Sequence, residues 1–324
     1  MNSMSGTEET LSRLAAVPSL QVSSCIPLSR YTRFGIGGPA DIVAESSDAE
    51  AFIAAMGIAR ESGLDLVVIG GGTNLIVSDA GFRGVVLRFV AERLMAAGNR
   101  IVCDAGVVLQ ELVDFSIDRG LGGLETLAGI PGWTGAAVYG NAGAYGHSIS
   151  ERIHKVRFLD GGVVRVFDRD ECEFRYRESI FKEHKEWIIL STELSLEPGD
   201  AGILRKTAED ILRVRNEKFP PTMKCAGSIF KNFLVAELPE QVAAAIPGRV
   251  VREGKAPAAY FLEQVGAKGL THGGIHVADY HANLLYNSGN GTARELRDVI
   301  EELKKRVRER FGIEVEEEVQ YVGF

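Results

Sequence analysis

Long apolar runs are missing from this chain, which excludes one functional class at once. No stretch approaches the roughly eighteen continuous apolar residues that a membrane-spanning helix needs. The first twenty residues are small and polar. They lack the basic start and apolar core of a signal peptide. Cysteine is scarce: Cys25, Cys103, Cys172 and Cys225 lie far apart, with no C-x-x-C pair. Neither a zinc site nor a disulfide framework is indicated. The six histidines show no H-E-x-x-H spacing, so no metal is expected. Positive charge is short as well. Against 44 Asp and Glu stand 36 Lys and Arg, a formal net charge of -8. A general basic surface for nucleic acid is therefore disfavoured. A cytoplasmic location fits best, with neither nucleic acid nor membrane as partner; an anionic small substrate is not excluded, and a monomer is expected.

What the chain does have is a globular composition and abundant glycine. Of 324 residues, 45% are hydrophobic and 25% charged, an ordinary balance for a folded protein. The length exceeds one compact core, so two or three domains are expected. Residues 1–24 read as a flexible arm with at most one short helix. Ser47 and Glu50 have capping-box spacing, which predicts a helix over 47–61 with Phe52, Ile53 and Met56 on its apolar face. The run Leu66 to Ile69 reads as a buried strand, and further strands fall near 84–89, 100–104, 153–158, 163–167 and 187–196. Helices are predicted near 109–118 and 201–217, and Pro198-Gly199 marks a domain boundary. Thr292 and Glu295 form a second capping box, followed by Leu296, Val299, Ile300, Leu303, Val307 and Phe311 at helical spacing. A final strand is expected over 313–322.

Glycine is clustered among the 37 present, which directs attention to backbone–ligand contact. Gly70-Gly71-Gly72-Thr73-Asn74 leaves the strand ending at Ile69. Consecutive amides in such a turn form an anion-binding nest; the plainer alternative is a sharp turn between strands. No Lys-Ser/Thr follows, so it is not a P-loop. Gly35, Gly37 and Ala40 match G-x-G-x-x-A, yet no apolar strand precedes them and Pro39 interrupts them, so that match is accidental. The stretch 127–146 is poor in side chains and costly to order. Either a large flat ligand lies against its backbone, or it is a tight interdomain loop. Phe174 to Ser179 sets arginines among aromatics, more often a surface feature than a catalytic one. Gly227-Ser228-Ile229-Phe230-Lys231-Asn232 puts a hydroxyl near a cation and an amide, without a surrounding G-x-S-x-G. Glu316-Glu317-Glu318 is an acidic run, ordinarily a solvated face, although strand alternation turns some side chains inward.

Taken together these segments resemble one family, the UDP-N-acetylenolpyruvoylglucosamine reductases. The match lies in Thr32 to Gly38, Gly70 to Asn74, Leu127 to Gly146, Tyr176 to Ser179, Gly227 to Asn232, His281-Ala282-Asn283 and Glu316 to Val319. They stand in the family's order and span nearly the whole chain beyond residue 25. The resemblance implies an α+β fold: a two-subdomain FAD-binding half of the vanillyl-alcohol-oxidase (PCMH) type, plus a C-terminal α+β substrate domain. On this chain that gives subdomains at 25–86 and 87–199 and a substrate domain at 200–324, whose last strand returns to the active site. Arg177 and Ser228 stand 51 positions apart, an interval already filled by one strand and one helix, so the shorter family subtype, without the inserted tyrosine loop, is implied.

The resemblance also implies the reaction and its residues. NADPH reduces a non-covalently bound FAD, which reduces UDP-N-acetylglucosamine enolpyruvate to UDP-N-acetylmuramate. Gly70, Gly71, Gly72, Thr73 and Asn74 take the pyrophosphate-loop positions. Gly129, Ile130, Pro131, Gly132, Gly135, Asn141, Ala142 and Gly143 take those of the flavin cradle. Arg177, Ser228 and Glu318 fall on the catalytic positions, and Tyr176, Lys218, Lys231, Asn232 and His281 on substrate-contacting ones. Arg177 would receive the charge that builds on the substrate carboxylate, Ser228 would supply a proton, and Glu318 would be protonated or orient the arginine. Three positions depart from the family pattern: Trp133 for a small residue, Phe233 for proline and Gln320 for arginine. The alternatives are another flavin oxidoreductase of the same fold and an inactive nucleotide-sugar-binding protein.

Overall fold

The computed structural model describes residues 6–324. The described chain divides into two compact units, and its path between them is not contiguous. The first unit takes the residues up to Ile26, then Ala40–Gly71 and Phe82–Glu217; the second takes Pro27–Pro39, Gly72–Gly81 and Lys218–Phe324. The long final segment therefore leaves the first unit at the end of the helix Ala201–Lys218, rather than at Pro198-Gly199.

Two larger sheets organise the first unit. In one, the strand Phe82–Phe89 lies between Pro39–Ser46 and Asp65–Val68 and pairs with both in parallel. Parallel neighbours need a crossover, and the helix Ala49–Glu61 supplies one. Its N-cap is Asp48, which accepts from the Ala51 amide at 2.8 Å, and not Ser47. Aspartate wins because its carboxylate reaches the free first-turn donors directly. The other sheet has five antiparallel strands in the order Val163–Asp168, Ile153–Asp160, Ile188–Ser195, Arg100–Asp104 and Leu94–Ala97. The expected flexible arm is structured from Gly6 onward. The helix Gly6–Ala15 buries Leu14 completely against this unit's core, because its apolar positions recur on one face.

The second unit is built on three antiparallel strands, Thr271–His272, Ile275–Ala278 and His281–Asn287, covered by the helices Ala258–Gln264 and Ala293–Phe311. The capping box is present: the Glu295 amide donates to Thr292 Oγ1 at 3.1 Å, and the Thr292 amide to Glu295 Oε2 at 3.0 Å. Asp79 adds a second cap, accepting from the amides of Ala293 and Arg294. The expected strand over 313–322 is shorter. Only Gln320–Val322 is strand, paired in parallel with Leu75–Val77; Glu317 makes a single bridge to Phe230. The residues before Gln320 satisfy their backbone against the 228–231 segment instead of extending that ladder. Among the described residues all four cysteines are free and no helix is long and apolar enough to cross a membrane. Burial pushes the thiols of Cys103 and Cys172 up to about 12, so neither is a nucleophile at neutral pH.

Candidate active site

The Gly70–Asn74 run leaves the strand Asp65–Val68 with its first amides uncommitted. The N–H groups of Gly70, Gly71 and Gly72 donate to no described residue. Positive φ sits at Gly72, at +63°, and not at Gly71. A Cβ on Gly72 would overlap the Tyr31 carbonyl outright, so no L-side chain fits there. A Cβ on Gly71 would come to 3.2 Å from the Trp133 indole, while one on Gly70 would make ordinary contact at 3.6 Å. Trp133 thus lies along Gly70 and Gly71, and the Arg88 guanidinium stands 4.8 Å from the indole centroid. Arg88 also pairs with Glu45 and reaches the Gly70 carbonyl at 3.4 Å.

The 129–143 segment is held differently. The Gly129 amide donates to Gln110 Oε1 at 2.8 Å, Thr134 to the Val107 carbonyl at 2.8 Å and Gly135 to the Ala105 carbonyl at 2.9 Å. Ile130 and Ala142 pack against the first core, and the Ala142 amide turns back onto Ala137. Thr134–Tyr139 forms a short helix inside the segment, following Pro131 and Gly132. A Cβ on Gly135 would lie 2.6 Å from that of Ala105, and one on Gly143 would run into the His147 carbonyl. These glycines serve close protein packing.

Arg177 is joined to this segment. It is a non-glycine residue at φ +59°, and its Nη2 donates to the Gly143 carbonyl at 2.9 Å. Its guanidinium lies 5.2 Å from the Tyr176 ring centroid. The surrounding turn is fixed three ways. Lys182 Nζ donates to the Arg177 carbonyl at 2.9 Å, Asn141 Nδ2 to the Arg175 carbonyl at 2.8 Å, and Ser179 Oγ to the Tyr139 carbonyl at 2.7 Å.

In the second unit the 228–231 segment runs between two neighbours. Ser228 bridges to Leu284 and Phe230 to Glu317. Asn283 clamps the same segment, accepting from the Phe230 amide at 2.9 Å and donating to the Phe230 carbonyl at 2.8 Å. The Glu318 amide donates to the Ile229 carbonyl at 2.7 Å, so Ser228 and Glu318 belong to adjoining backbones. Buried Lys231 pairs its ammonium with Glu316. Asn232 Oδ1 accepts from the Ala258 amide at 3.2 Å, at the start of the helix Ala258–Gln264.

Lys218 is exposed, its ammonium 5.2 Å from the Phe219 ring centroid. His281 is buried. Its Nδ1 accepts from the Asn283 amide at 3.3 Å, which leaves the proton on Nε2, and that atom has no hydrogen-bond partner among the described residues. Burial, then Lys218 and Lys268, hold the imidazole down at about 4. It is therefore a neutral donor at neutral pH. Phe233, in the proline position, stacks edge-on with Phe261, and Gln320 hydrogen-bonds the Asn74 carbonyl.

Sequence reasoning gave no role to Asn283, Arg88 or Gln110. Asn283 carried a signal: a single amide inside the otherwise apolar run from Ala282 to Leu285, which a buried strand tolerates only when it is bonded. Arg88 and Gln110 carried none, because their contacts come from distant segments.

Two family models match the chain: an FAD binding domain over residues 40–166, and the UDP-N-acetylenolpyruvoylglucosamine reductase C-terminal domain over 219–322. A UDP-N-acetylenolpyruvoylglucosamine reductase of Solibacter usitatus is 70% identical over 311 residues, 96% of this chain and 100% of the relative. One from Rubrobacter xylanophilus is 38% identical, covering 92% of this chain and 94% of the relative. Among solved structures, the UDP-N-acetylenolpyruvylglucosamine reductase of Thermus caldophilus superposes with a TM-score of 0.74 at 26% identity, covering 94% of this chain and 100% of that one.

Proposed function

This chain belongs to the UDP-N-acetylenolpyruvoylglucosamine reductase family, and from that premise we propose how its residues share the reaction. The protein is an FAD-dependent oxidoreductase that uses NADPH to reduce UDP-N-acetylglucosamine enolpyruvate to UDP-N-acetylmuramate for peptidoglycan precursors. Bound FAD would supply the hydride chemistry that links NADPH to the enolpyruvyl group. The uncommitted amides of Gly70, Gly71 and Gly72 suit a pyrophosphate, so the cofactor fits the residues present. In this reading the backbone of the Gly70–Asn74 run would hold that pyrophosphate, and Gly129 to Gly143 would line the ring.

The enolpyruvyl double bond is conjugated to a carboxylate. Hydride addition at the terminal carbon builds charge on that carboxylate. Arg177 offers a planar fork of donors to it, which an ammonium does not match. Ser228 gives its proton to the adjacent carbon. Glu318 acts at the same reacting group. Lys218 and Asn232 hold the diphosphate, with Tyr176, Lys231 and the neutral Nε2–H of His281 as further substrate contacts. The same reading takes the protein as a cytoplasmic monomer.

The observation that carries this assignment is Arg177, a bulky residue at φ +59° whose guanidinium is tied to Gly143. Such backbone strain persists where the surroundings over-determine it, and it clusters at functional sites. Ser228→Ala tests the mechanism. Flavin reduction by NADPH is expected to be nearly unchanged, while turnover falls by about a hundredfold or more. Ser228→Cys should recover part of the loss, since a thiol also donates a proton. Normal turnover in the alanine variant, or loss of the NADPH step alone, would remove Ser228 from the mechanism.

A further inference from the structure

We propose that Asn74 is a positioning residue for Glu318, using its side chain on the glutamate rather than on the cofactor. The inference rests on the reading of Glu318 as catalytic. Asn74 Nδ2 donates to the Glu318 carbonyl at 2.8 Å. Only the amide nitrogen can donate to a carbonyl, so the orientation of this side chain is settled by its partner. The Asn74 carbonyl in turn accepts from the Gln320 amide at 2.9 Å. From the next residue onward the two chains run as a parallel ladder, Leu75 beside Gln320, Ile76 beside Tyr321 and Val77 beside Val322.

Glu318 is therefore held from both sides of its own Cα. Its amide is bonded to Ile229, within the Ser228 segment, and its carbonyl to Asn74. With both flanking peptides fixed, the backbone from which the glutamate side chain projects is set. Removing the Asn74 donor frees the carbonyl side, where no ladder pair yet operates because pairing begins at Gln320. A carboxyl group displaced by a fraction of an ångström is enough to slow a positioned reaction, with about 1 Å costing roughly a hundredfold. Asn74 also ends the run whose first amides are uncommitted. One residue thus closes the glycine loop and anchors the glutamate.

The test uses full-length Asn74→Leu, which removes the donor at nearly constant size, and Asn74→Asp, which puts an acceptor against the Glu318 carbonyl. Four quantities are read for each: thermal midpoint, Kd for FAD, rate of flavin reduction by NADPH, and rate of reoxidation by the enolpyruvyl sugar with its KM. The expected result is a Kd for FAD and a KM for the sugar within about threefold of wild type, and an unchanged NADPH step. Reoxidation slows by about ten- to a hundredfold in both variants. Adding Asn74→Leu to Glu318→Gln should cost little more than Glu318→Gln alone, which a general structural role would not produce.

A Kd for FAD raised more than about tenfold with turnover per bound flavin kept would overturn the proposal and leave Asn74 a cofactor ligand. Failure of both variants to fold would overturn it too, by assigning Asn74 to architecture. Normal turnover in Glu318→Gln would remove the reading beneath the proposal. A slow Glu318→Gln beside a normal Asn74→Leu would remove the proposal alone.

Discussion

In the Gly70–Asn74 run the amides of the three glycines donate to no described residue, whereas in the 129–143 segment Gly129, Gly135 and Ala142 donate to defined acceptors. Both are runs of small residues after an ordered element. One keeps its first amides open, and the other commits such amides to acceptors within its own unit. The difference teaches that glycine enrichment has two physical causes. In the first run it exposes donors; in the second it lets segments of the protein approach within side-chain distance, as Gly135 does at Ala105. Gly72 in the first run and Gly143 in the second each meet a backbone carbonyl that would exclude any Cβ.

The comparison can be broken at four points. Gly72→Ala should be the most damaging, because positive φ and overlap with the Tyr31 carbonyl act together. A loss above about 4 kcal/mol, or no folded protein, is expected in denaturant titration. A wild-type midpoint would show that the loop is held less tightly than its geometry implies.

His281 extends the contrast to a buried donor outside both segments. Its ordinary value of 6.5 falls to about 4 in the folded protein, through burial first and then Lys218 and Lys268. Between these values the unfolded chain binds a proton that the folded chain refuses. Stability is thus complete above pH 6.5 and declines as pH falls toward 4, by roughly 3 kcal/mol. His281→Asn should flatten that part of the pH–stability curve; an unaltered curve would show that other groups govern it.

Gly143→Ala should lower the stability of the cofactor-free protein by about 2 kcal/mol, since the His147 carbonyl must move. FAD affinity of the folded fraction should fall much less than in Gly71→Val. Gly71→Val reverses the pattern. Its φ is not positive and only the Trp133 indole must give way, so the cofactor-free protein should lose about 1 kcal/mol or less. FAD affinity should fall far more steeply, because a branched side chain covers the open amides. Stoichiometric FAD in Gly71→Val would mean that these amides do not hold the pyrophosphate.

The candidate site residues sit in short contiguous motifs, which is why sequence alone could name them. Helices with explicit stop signals were legible too: Thr292, Glu295 and Gly312 bound the helix Ala293–Phe311. What sequence did not disclose depends on tertiary partners. Asp48 displaced Ser47 as cap because the choice rests on backbone geometry at that turn. Residues 313–319 read as strand by composition, yet their partners lie in the 228–231 segment, which supplies one bridge and no ladder. The division of labour between the two glycine runs was hidden for the same reason. Nothing local to Gly135 reveals Ala105 thirty residues earlier.

The second unit draws on chain from three places, Pro27–Pro39, Gly72–Gly81 and Lys218–Phe324. During synthesis, then, its core stays incomplete until the strand Gln320–Val322 has left the ribosome. Phe34, Ile36 and Ile76 emerge early and wait for Leu284, Ile300 and Val319. The strand Leu75–Val77 waits for Gln320–Val322. Contacts of such long sequence separation close slowly. A nascent chain stalled near residue 300 would therefore expose an apolar surface with no mate, a natural target for holding chaperones. An excised fragment beginning at Lys218 would lack both a strand and three core side chains, whatever the quality of its own helices.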